Sequence, residues 1–226
     1  KLKDAVKATK NRLHQAAGAY LTSPPNYDTW LARLEAAQNE DERRDVCRQL
    51  MQTHASTRER LPILDDFYRT LLADIPPVHS VIDLACGLNP LAIPFMPLAE
   101  GAAYYAYDLY TDLAAFFNRA FPLLGVRGEA FALDLTQTIP SQPADLAIIV
   151  KAIPCLQQVE KGIGARLLAG VNAQHILVSY PAQSLGGALK GMRANYEAQF
   201  NELVVGQGWA IRKYDFANEL AFLISR

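Results

Sequence analysis

The chain has 226 residues, of which 50% are hydrophobic and 20% are charged, and its formal net charge is -1. This composition excludes a disordered chain, and the length suffices for one sizeable core with a smaller appendage. The near-neutral charge provides no overall attraction to nucleic acid, so such affinity must come from local basic patches. Three cysteines without CxxC or Cys/His ligand spacing argue against disulfides and zinc, and they indicate a reducing, cytoplasmic compartment.

Apolar runs in the sequence are short. The longest, such as Leu146 to Val150, fall far below the roughly 20 residues that a membrane-spanning helix needs. The first residues also lack the apolar core of a signal peptide. We therefore expect a soluble protein with no membrane partner.

The first seventy-odd residues have the pattern of amphipathic helices. Between Lys1 and Gly18, apolar residues recur at helical spacing and the opposite face is basic. A breaker cluster follows at 22–26, and apolar positions at helical spacing then continue to Ala73. These patterns predict a helical region over residues 1–75. The basic face of its first helix consists of Lys3, Lys7, Lys10 and His14, with Arg12 nearby.

From residue 76 to residue 226 the rhythm changes to alternating strands and helices. Apolar runs of strand length occur at 81–85, 103–107, 130–133, 146–150 and 176–179, mostly with helix-length segments between them. This series predicts an α/β fold with a parallel, Rossmann-like sheet covered by helices on both faces. Two final runs, at 209–216 and 220–225, predict an antiparallel hairpin. Such a hairpin is more typical of S-adenosylmethionine-dependent methyltransferases than of nicotinamide dehydrogenases.

Acidic residues lie in or at the end of the first three predicted strands. Asp83, Asp108 and Asp134 are separated by 25 and 26 residues, about one βα unit. Because ligands of a doubly wound sheet bind outside the carboxyl ends of its strands, the three carboxylates should converge on one crevice. The second could accept hydrogen bonds from ribose hydroxyls and the third from an adenine amino group. The alternative is that such aspartates only begin turns or cap helices.

The segment VIDLACGLNP at 81–90 contains one glycine, Gly87, in the turn after the first predicted strand. A dinucleotide fingerprint needs several glycines, because the pyrophosphate lies against the helix N-terminus. A single close approach of the backbone suits a cofactor without phosphate, such as S-adenosylmethionine. The alternative is an ordinary turn from a strand to a helix.

Three segments carry a resemblance to a known family: HASTRERL at 54–61, DLACGLNPLA at 83–92 and SYPAQSLGGALKGMRANY at 179–196. In this order they resemble the aminoglycoside-resistance 16S ribosomal RNA methyltransferases, which methylate N7 of guanosine 1405. The resemblance extends from about Lys7 over nearly the whole chain. It implies a helical RNA-binding region before a Rossmann-like domain, S-adenosylmethionine as cofactor, and 16S rRNA of the 30S subunit as substrate. We expect a monomer. We also expect part of the family's helical region to be missing here, because family members usually begin further upstream.

The resemblance also implies which residues bind the cofactor. Arg60 stands where the family is expected to bind the cofactor carboxylate, although a solvated helix charge is the plainer interpretation of the sequence alone. The remaining positions are Asp83, Ala85 and Gly87 at the methionine end, Asp108 with Leu109 at the ribose, and Asp134 with Leu135 at the adenine. We expect no metal.

Lys151 follows the fourth predicted strand, where many base-modifying methyltransferases keep their target-facing motif. Guanine N7 already presents a lone pair, so no general base is needed, and catalysis rests on positioning a base turned out of its helix. We therefore expect Lys151 to position the target. The alternative is a lysine whose stem is buried and whose ammonium reaches solvent.

Two basic surfaces are candidates for RNA binding. The first is the basic face of the first predicted helix, although a cationic face on a terminal helix is more often just solvated. The second is the glycine-rich segment after the fifth strand, in which we expect Tyr180, Gln183, Lys190 and Arg193 to contact RNA; the alternative is a flexible connector. Gln183 departs from the family pattern, because a basic residue is usual before SLGG. Its neutral side chain puts the efficiency of methylation, or the identity of the nucleotide, in question.

Other functions stay open on the residues themselves. The chain could methylate another ribosomal RNA nucleotide, or a small molecule under a lid of N-terminal helices. It could also be a nonenzymatic cofactor-binding module. A nicotinamide dehydrogenase is disfavoured because the triple-glycine loop is absent.

Overall fold

The computed structural model of the protein describes residues 25–182 and 191–226. Helices precede the sheet in this part of the chain, and a 3-10 turn at Leu61–Ile63 joins the last two: α1 (Tyr27–Ala36), α2 (Glu40–Met51), α3 (Ala55–Arg60) and α4 (Leu64–Leu72). Helices α1 and α2 begin at asparagine caps. The side chains of Asn26 and Asn39 accept hydrogen bonds from backbone N–H groups that lack partners in the first helical turn. No helix in the described ranges is long and apolar enough to cross a bilayer.

The described strands form one seven-stranded sheet in the order β3-β2-β1-β4-β5-β7-β6. Its strands are β1 (Val78–Leu84), β2 (Leu98–Asp108), β3 (Arg127–Ala132), β4 (Ala144–Val150), β5 (Ala173–Pro181), β6 (Ala210–Asp215) and β7 (Glu219–Ser225). The helices among them are α5 (Thr111–Ala120), α6 (Ile153–Val159), α7 (Ile163–Gly170) and α8 (Met192–Val204), with 3-10 turns at Asn89–Phe95 and Phe121–Leu124. Strands β1 to β5 are parallel, and β7 runs antiparallel between β5 and β6.

Alternating side chains of the strands point into two separate cores. On β1, Val81 packs with residues of α1, α2, α4 and α5, whereas Ile82 packs with residues of α6, α7 and α8. The central strands are therefore apolar on both faces, as expected for a parallel sheet covered on both sides. Helices α1, α2 and α4 share an apolar cluster with the sheet, so they pack against one of its faces.

The C-terminal hairpin brings a charged residue to the ligand edge of the sheet. Strands β6 and β7 pair antiparallel, which confirms the predicted hairpin and, with the rest of the sheet, the predicted fold class. Glu219 is the first residue of β7 and pairs with Pro181, the last residue of β5. Because β7 runs opposite to β5, its beginning lies beside the carboxyl ends of the parallel strands. The sequence pattern, by contrast, places Glu219 in the turn.

Candidate active site

The turn after β1 brings the backbone against the end of β2. Ala85 and Gly87 have positive φ angles of 51° and 49°, and the Gly87 N–H donates to Oδ2 of Asp108 at 2.8 Å. A Cβ at position 87 would meet His54 Nε2 at an ordinary contact distance of 3.5 Å, so the left-handed backbone rather than space favours glycine. Burial, together with nearby cationic side chains, lowers the pKa of His54 to about 4.

Asp108 is held at the end of β2 by backbone donors. Besides the Gly87 N–H, its carboxylate accepts the N–H of Leu109 at 2.7 Å. Burial raises the pKa of Asp108, and these N–H groups oppose the rise. The Asp108 carbonyl accepts the N–H of Leu133 at 2.7 Å, so the segment after β3 adjoins this edge. Asp108 therefore lies beside the single-glycine turn, as the strand-end pattern predicts.

Asp134 is used differently from the other two aspartates. It is exposed, and its Oδ1 accepts both the Thr136 N–H at 2.9 Å and the Thr136 hydroxyl at 2.6 Å. This is the local turn-forming role that was the alternative for aspartates after strands. The next residue, Leu135, is buried in the core that includes α7 and α8.

Asp83 lies wholly inside the protein. Its Oδ2 accepts hydrogen bonds from Asn89 Nδ2 at 2.9 Å and from the Tyr104 hydroxyl at 2.7 Å, and its buried Oδ1 has no hydrogen-bond partner among the described residues. Burial raises the pKa of Asp83 to about 7, although both hydrogen bonds favour the ionised form. Asp83 thus supports the turn after β1 through Asn89 and has no exposed surface.

Arg60, the last residue of α3, binds a carboxylate of the protein itself. Its Nε and Nη2 donate to Glu219 at 3.0 and 2.8 Å, and its Nη1 donates to Asn89 Oδ1 at 2.6 Å. The guanidinium also lies over the Phe67 ring, 4.9 Å from its centroid. Arg60 is 0% exposed, so the plainer interpretation of a solvated helix charge is wrong, and binding of the cofactor carboxylate stays a prediction.

Lys151 follows β4 in a left-handed conformation, with φ of 55°. Its Nζ lies 3.2 Å from the Ser56 carbonyl, 2.9 Å from Glu59 Oε2 and 3.4 Å from Glu219 Oε2. The Ser56 carbonyl and Glu59 accept hydrogen bonds from the ammonium, and Glu219 lies within ion-pair distance of it. The side chain is 5% exposed, so the alternative of an ammonium reaching solvent is wrong.

Glu219 is the functional candidate that the sequence patterns missed. It is 0% exposed and receives the Arg60 guanidinium, the Lys151 ammonium and the Ser179 hydroxyl, the last at 2.5 Å. Burial alone would raise the pKa of Glu219, but the charges of Arg60 and Lys151 outweigh it and lower the pKa. A carboxylate beginning an otherwise apolar strand is a signal that could have identified it.

Two residues expected to contact RNA, Tyr180 and Arg193, make contacts within the protein instead. Tyr180 is 0% exposed and stacks on Tyr196 of α8 with centroids 5.0 Å apart, so its ring offers no face to an RNA base. Arg193 donates to the carbonyls of Phe216 and Ala217, both at 2.7 Å, and pairs with Asp215. It therefore ties α8 to the hairpin.

The remaining RNA-binding predictions lie outside the described residues. They are Lys3, Lys7, Lys10, Arg12, His14, Gln183 and Lys190. Within residues 25–182 and 191–226, no three His, Cys, Asp or Glu side chains are grouped so that they could hold a metal ion.

Known proteins resemble this chain along its whole length. Residues 2–223 match the family model described as ribosomal RNA methyltransferase (FmrO). The 16S rRNA (guanine(1405)-N(7))-methyltransferase of Micromonospora rosea is 38% identical over 99% of this chain and 83% of its own length. The protein of the same name from Serratia marcescens is 33% identical over 99% of this chain and 84% of its own length.

A solved structure agrees with this relationship. The crystal structure of the 16S rRNA methyltransferase RmtF in complex with S-adenosyl-L-homocysteine has a TM-score of 0.81 and 32% identity to this chain. The alignment covers 100% of this chain and 85% of RmtF. The family model, the identity and the coverage agree along nearly the whole sequence, so the chain belongs to the FmrO family of ribosomal RNA methyltransferases.

Proposed function

We propose that this chain methylates N7 of guanosine 1405 in 16S rRNA, with S-adenosylmethionine as cofactor, and so makes its host resistant to aminoglycosides. The observation that carries the proposal is the 38% identity, over 99% of the chain, to an enzyme named for this reaction. The proposed substrate is the assembled 30S subunit, on which the protein acts as a cytoplasmic monomer. The helical region at 1–75 binds RNA, and residues 76–226 carry the transfer.

The edge formed by β1 and β2 has the chemistry that S-adenosylmethionine requires. Gly87 adopts the left-handed turn that brings its N–H to Asp108, and a turn with a single glycine suits a cofactor without phosphate. Each carboxylate oxygen accepts more than one hydrogen bond, so Asp108 keeps capacity for ribose hydroxyls while it holds the turn. When bound, S-adenosylmethionine supplies an electrophilic methyl group on its sulfonium sulfur. Its proposed contacts are Ala85, Gly87, Asp108, Leu109, Asp134 and Leu135, with Asp83 and Arg60 supporting this edge from the interior.

Lys151 is proposed to position the target guanine. Proton removal is unnecessary because N7 is already a nucleophile, so the residue's task is to bind and orient. Glu59 is the partner that Lys151 can exchange for the guanine edge or a phosphate, because the Glu59 side chain is 33% exposed while Glu219 is 0% exposed. Lys3, Lys7, Lys10, Arg12, His14 and Lys190 are proposed to bind phosphates, with Gln183 beside the target.

Methylation of purified 30S subunits tests this proposal. The chain is incubated with 30S subunits and labelled S-adenosylmethionine, and N7 methylation is mapped by borohydride-aniline cleavage. We expect label in 16S rRNA, cleavage at guanosine 1405, and resistance to gentamicin and kanamycin in a susceptible bacterium that expresses the chain. Cleavage at another guanosine would reassign the nucleotide. Absence of RNA label despite calorimetric binding of the cofactor would reject an RNA methyltransferase, and would favour a small-molecule methyltransferase or a nonenzymatic cofactor-binding module.

A further inference from the structure

One buried carboxylate joins two cations that come from distant segments. Glu219, at the start of β7, accepts hydrogen bonds from Arg60 Nε at 3.0 Å and Arg60 Nη2 at 2.8 Å. The same carboxylate lies 3.4 Å from the ammonium of Lys151, which follows β4. Arg60 is 159 residues away along the chain. The antiparallel hairpin thus delivers a negative charge to an edge formed by parallel strands.

The two cations depend on this carboxylate because little water reaches them. Arg60 and Glu219 are 0% exposed and Lys151 is 8% exposed. A buried cation without a counter-charge is strongly unfavourable, whereas a pair with satisfied hydrogen bonds is tolerated. Lys151 has a second counter-charge in Glu59 at 2.9 Å, but Glu219 is the acidic side chain that touches both cations.

Glu219 also reaches the backbone of Lys151 through a second route. The Ser179 hydroxyl donates to Glu219 Oε1 at 2.5 Å. The Lys151 N–H donates to the Ser179 carbonyl at 2.9 Å and lies 3.2 Å from the Ser179 hydroxyl oxygen. A left-handed lysine persists only where its surroundings hold it. Glu219 therefore contacts the Lys151 ammonium directly, and it also binds Ser179, which accepts the backbone N–H of Lys151.

We propose that Glu219 is a positioning residue for methyl transfer, which holds Lys151 and Arg60 and neutralises part of their charge beside the cofactor. The inference rests on the proposed function, since it gives Lys151 the task of orienting the guanine. Arg60 and Lys151 carry two positive charges, and Glu219 with Glu59 carries two negative charges. Loss of the Glu219 charge leaves this cluster net positive.

The cofactor and its product differ in charge, which provides a readout of this role. S-adenosylmethionine carries a positive charge on sulfur, and S-adenosylhomocysteine carries none. An excess positive charge in the cluster therefore weakens binding of the first more than binding of the second. A general loss of folding would weaken both alike.

Glu219→Gln is the decisive variant because it removes the charge and nearly preserves the shape. We expect its affinity for S-adenosylmethionine, relative to S-adenosylhomocysteine, to fall about fivefold in isothermal titration calorimetry. We expect kcat on 30S subunits to fall about 100-fold, since Lys151 loses its fixed position. Glu219→Asp retains the charge on a shorter stem, so the affinity ratio should stay at the wild-type value while kcat falls.

Glu197→Gln is the matched control, because Glu197 forms an exposed ion pair with Lys213 at 2.6 Å outside the cluster; its affinity ratio and kcat should equal those of the wild type. Wild-type values of both in a folded Glu219→Gln protein would overturn the proposal. If Glu219→Gln does not fold, a wild-type kcat in Glu219→Asp overturns it instead. If the wild-type chain binds cofactor but leaves 30S subunits unmodified, the proposed function fails, while the affinity ratio still decides the role of the Glu219 charge.

Discussion

At the scale of single residues, the burial of Asp83 couples its charge to the stability of the protein. Burial raises its pKa to about 7, while an aspartate in an unfolded chain titrates near 4. Between these pH values the folded state keeps a proton that the unfolded state has lost. The free energy of unfolding therefore receives a contribution that falls as pH rises through this range, by about 4 kcal/mol in all.

We predict that Asp83→Asn removes this contribution. Urea unfolding at pH 4.5 and at pH 7, on the cofactor-free proteins, gives the free energy of unfolding at each pH. The change of this free energy with pH is the slope, and the difference in slope between wild type and variant measures the contribution of Asp83. The comparison with the variant is needed because the lowered pKa of His54 gives the opposite dependence over the same range. Asp41→Asn, a change of an exposed carboxylate on α2, should keep the wild-type slope. Equal slopes for wild type and Asp83→Asn would show that Asp83 is ionised throughout.

The residues of the site differ in how far the sequence could identify them. Asp83 and Asp108 were predictable because the first lies within an apolar run, the second directly follows one, and their spacing matches about one βα unit. The partner of Arg60 was not, because pairing with Glu219 spans 159 residues and depends on the register of β7 against β5. The burial of Tyr180 was also hidden, since both faces of β5 are covered and its pattern does not distinguish them.

At the scale of elements, the seam between β3 and the 3-10 turn at Phe121–Leu124 depends on a glycine. A Cβ at Gly128 would overlap the ring and the Cβ of Phe121. Phe121 is 0% exposed and stacks on Phe117 with centroids 5.8 Å apart, so it has little room to move. We predict that Gly128→Ala lowers the free energy of unfolding by about 1–3 kcal/mol, as overpacking of a core typically does.

Gly162→Ala is the comparison for that prediction. Gly162 has φ of -83° and ψ of -4°, a conformation open to alanine, and a Cβ added there would meet no heavy atom of the described residues within 4 Å. Alanine at this position should stabilise the protein by about 0.4–1 kcal/mol, because it restricts the unfolded chain. Thermal unfolding of both variants measures the contrast. A Gly128→Ala protein as stable as the wild type would show that the seam can open.

The elements themselves were largely predictable from the sequence. The apolar runs at 81–85, 146–150 and 176–179 fall in β1, β4 and β5, except for residue 85, because buried parallel strands are continuously apolar. The strands begin two or three residues before these runs. The end of the hairpin turn was less certain. Glu219 is polar, which favours the turn, yet it pairs with Pro181 as part of β7. The buried ion pair of Glu219 with Arg60, rather than local preference, places Glu219 in the strand.

At the scale of the whole molecule, the proposed binding to the ribosome must overcome a net charge of -1. Local clusters of cations therefore supply the affinity for phosphates, and salt weakens it. We predict that changing Lys3, Lys7 and Lys10 together to Gln reduces the slope of log affinity for 30S subunits against log salt by about 2 to 3. Cofactor affinity should not change. Filter binding at several salt concentrations and calorimetry with S-adenosylmethionine provide the two measurements.

A second triple variant, with the same change of charge at another place on the surface, shows whether the salt slope depends on the basic stripe of Lys3, Lys7 and Lys10 or on net charge. Lys161, Arg212 and Lys213 are exposed on the described surface, and their joint change to Gln should leave the salt slope near the wild-type value. Equal effects of the two triple variants would mean that total charge governs binding. An unaltered slope with the first variant would remove the stripe from the RNA surface and favour a small-molecule substrate.

The contact between Arg60 and Glu219 also sets the order in which the protein is completed during its synthesis. The two residues are 159 positions apart, so at typical translation rates roughly 10 to 30 s separate their appearance. During that interval α3 has been made, but Arg60 lacks the carboxylate that neutralises it in the folded protein. The charge cluster beside Lys151 can close only after β7 joins the sheet. A nascent chain whose helical region has emerged therefore still lacks the complete cluster of Arg60, Lys151 and Glu219. We expect the newly made protein to acquire its site in one step, once β7 has been synthesised.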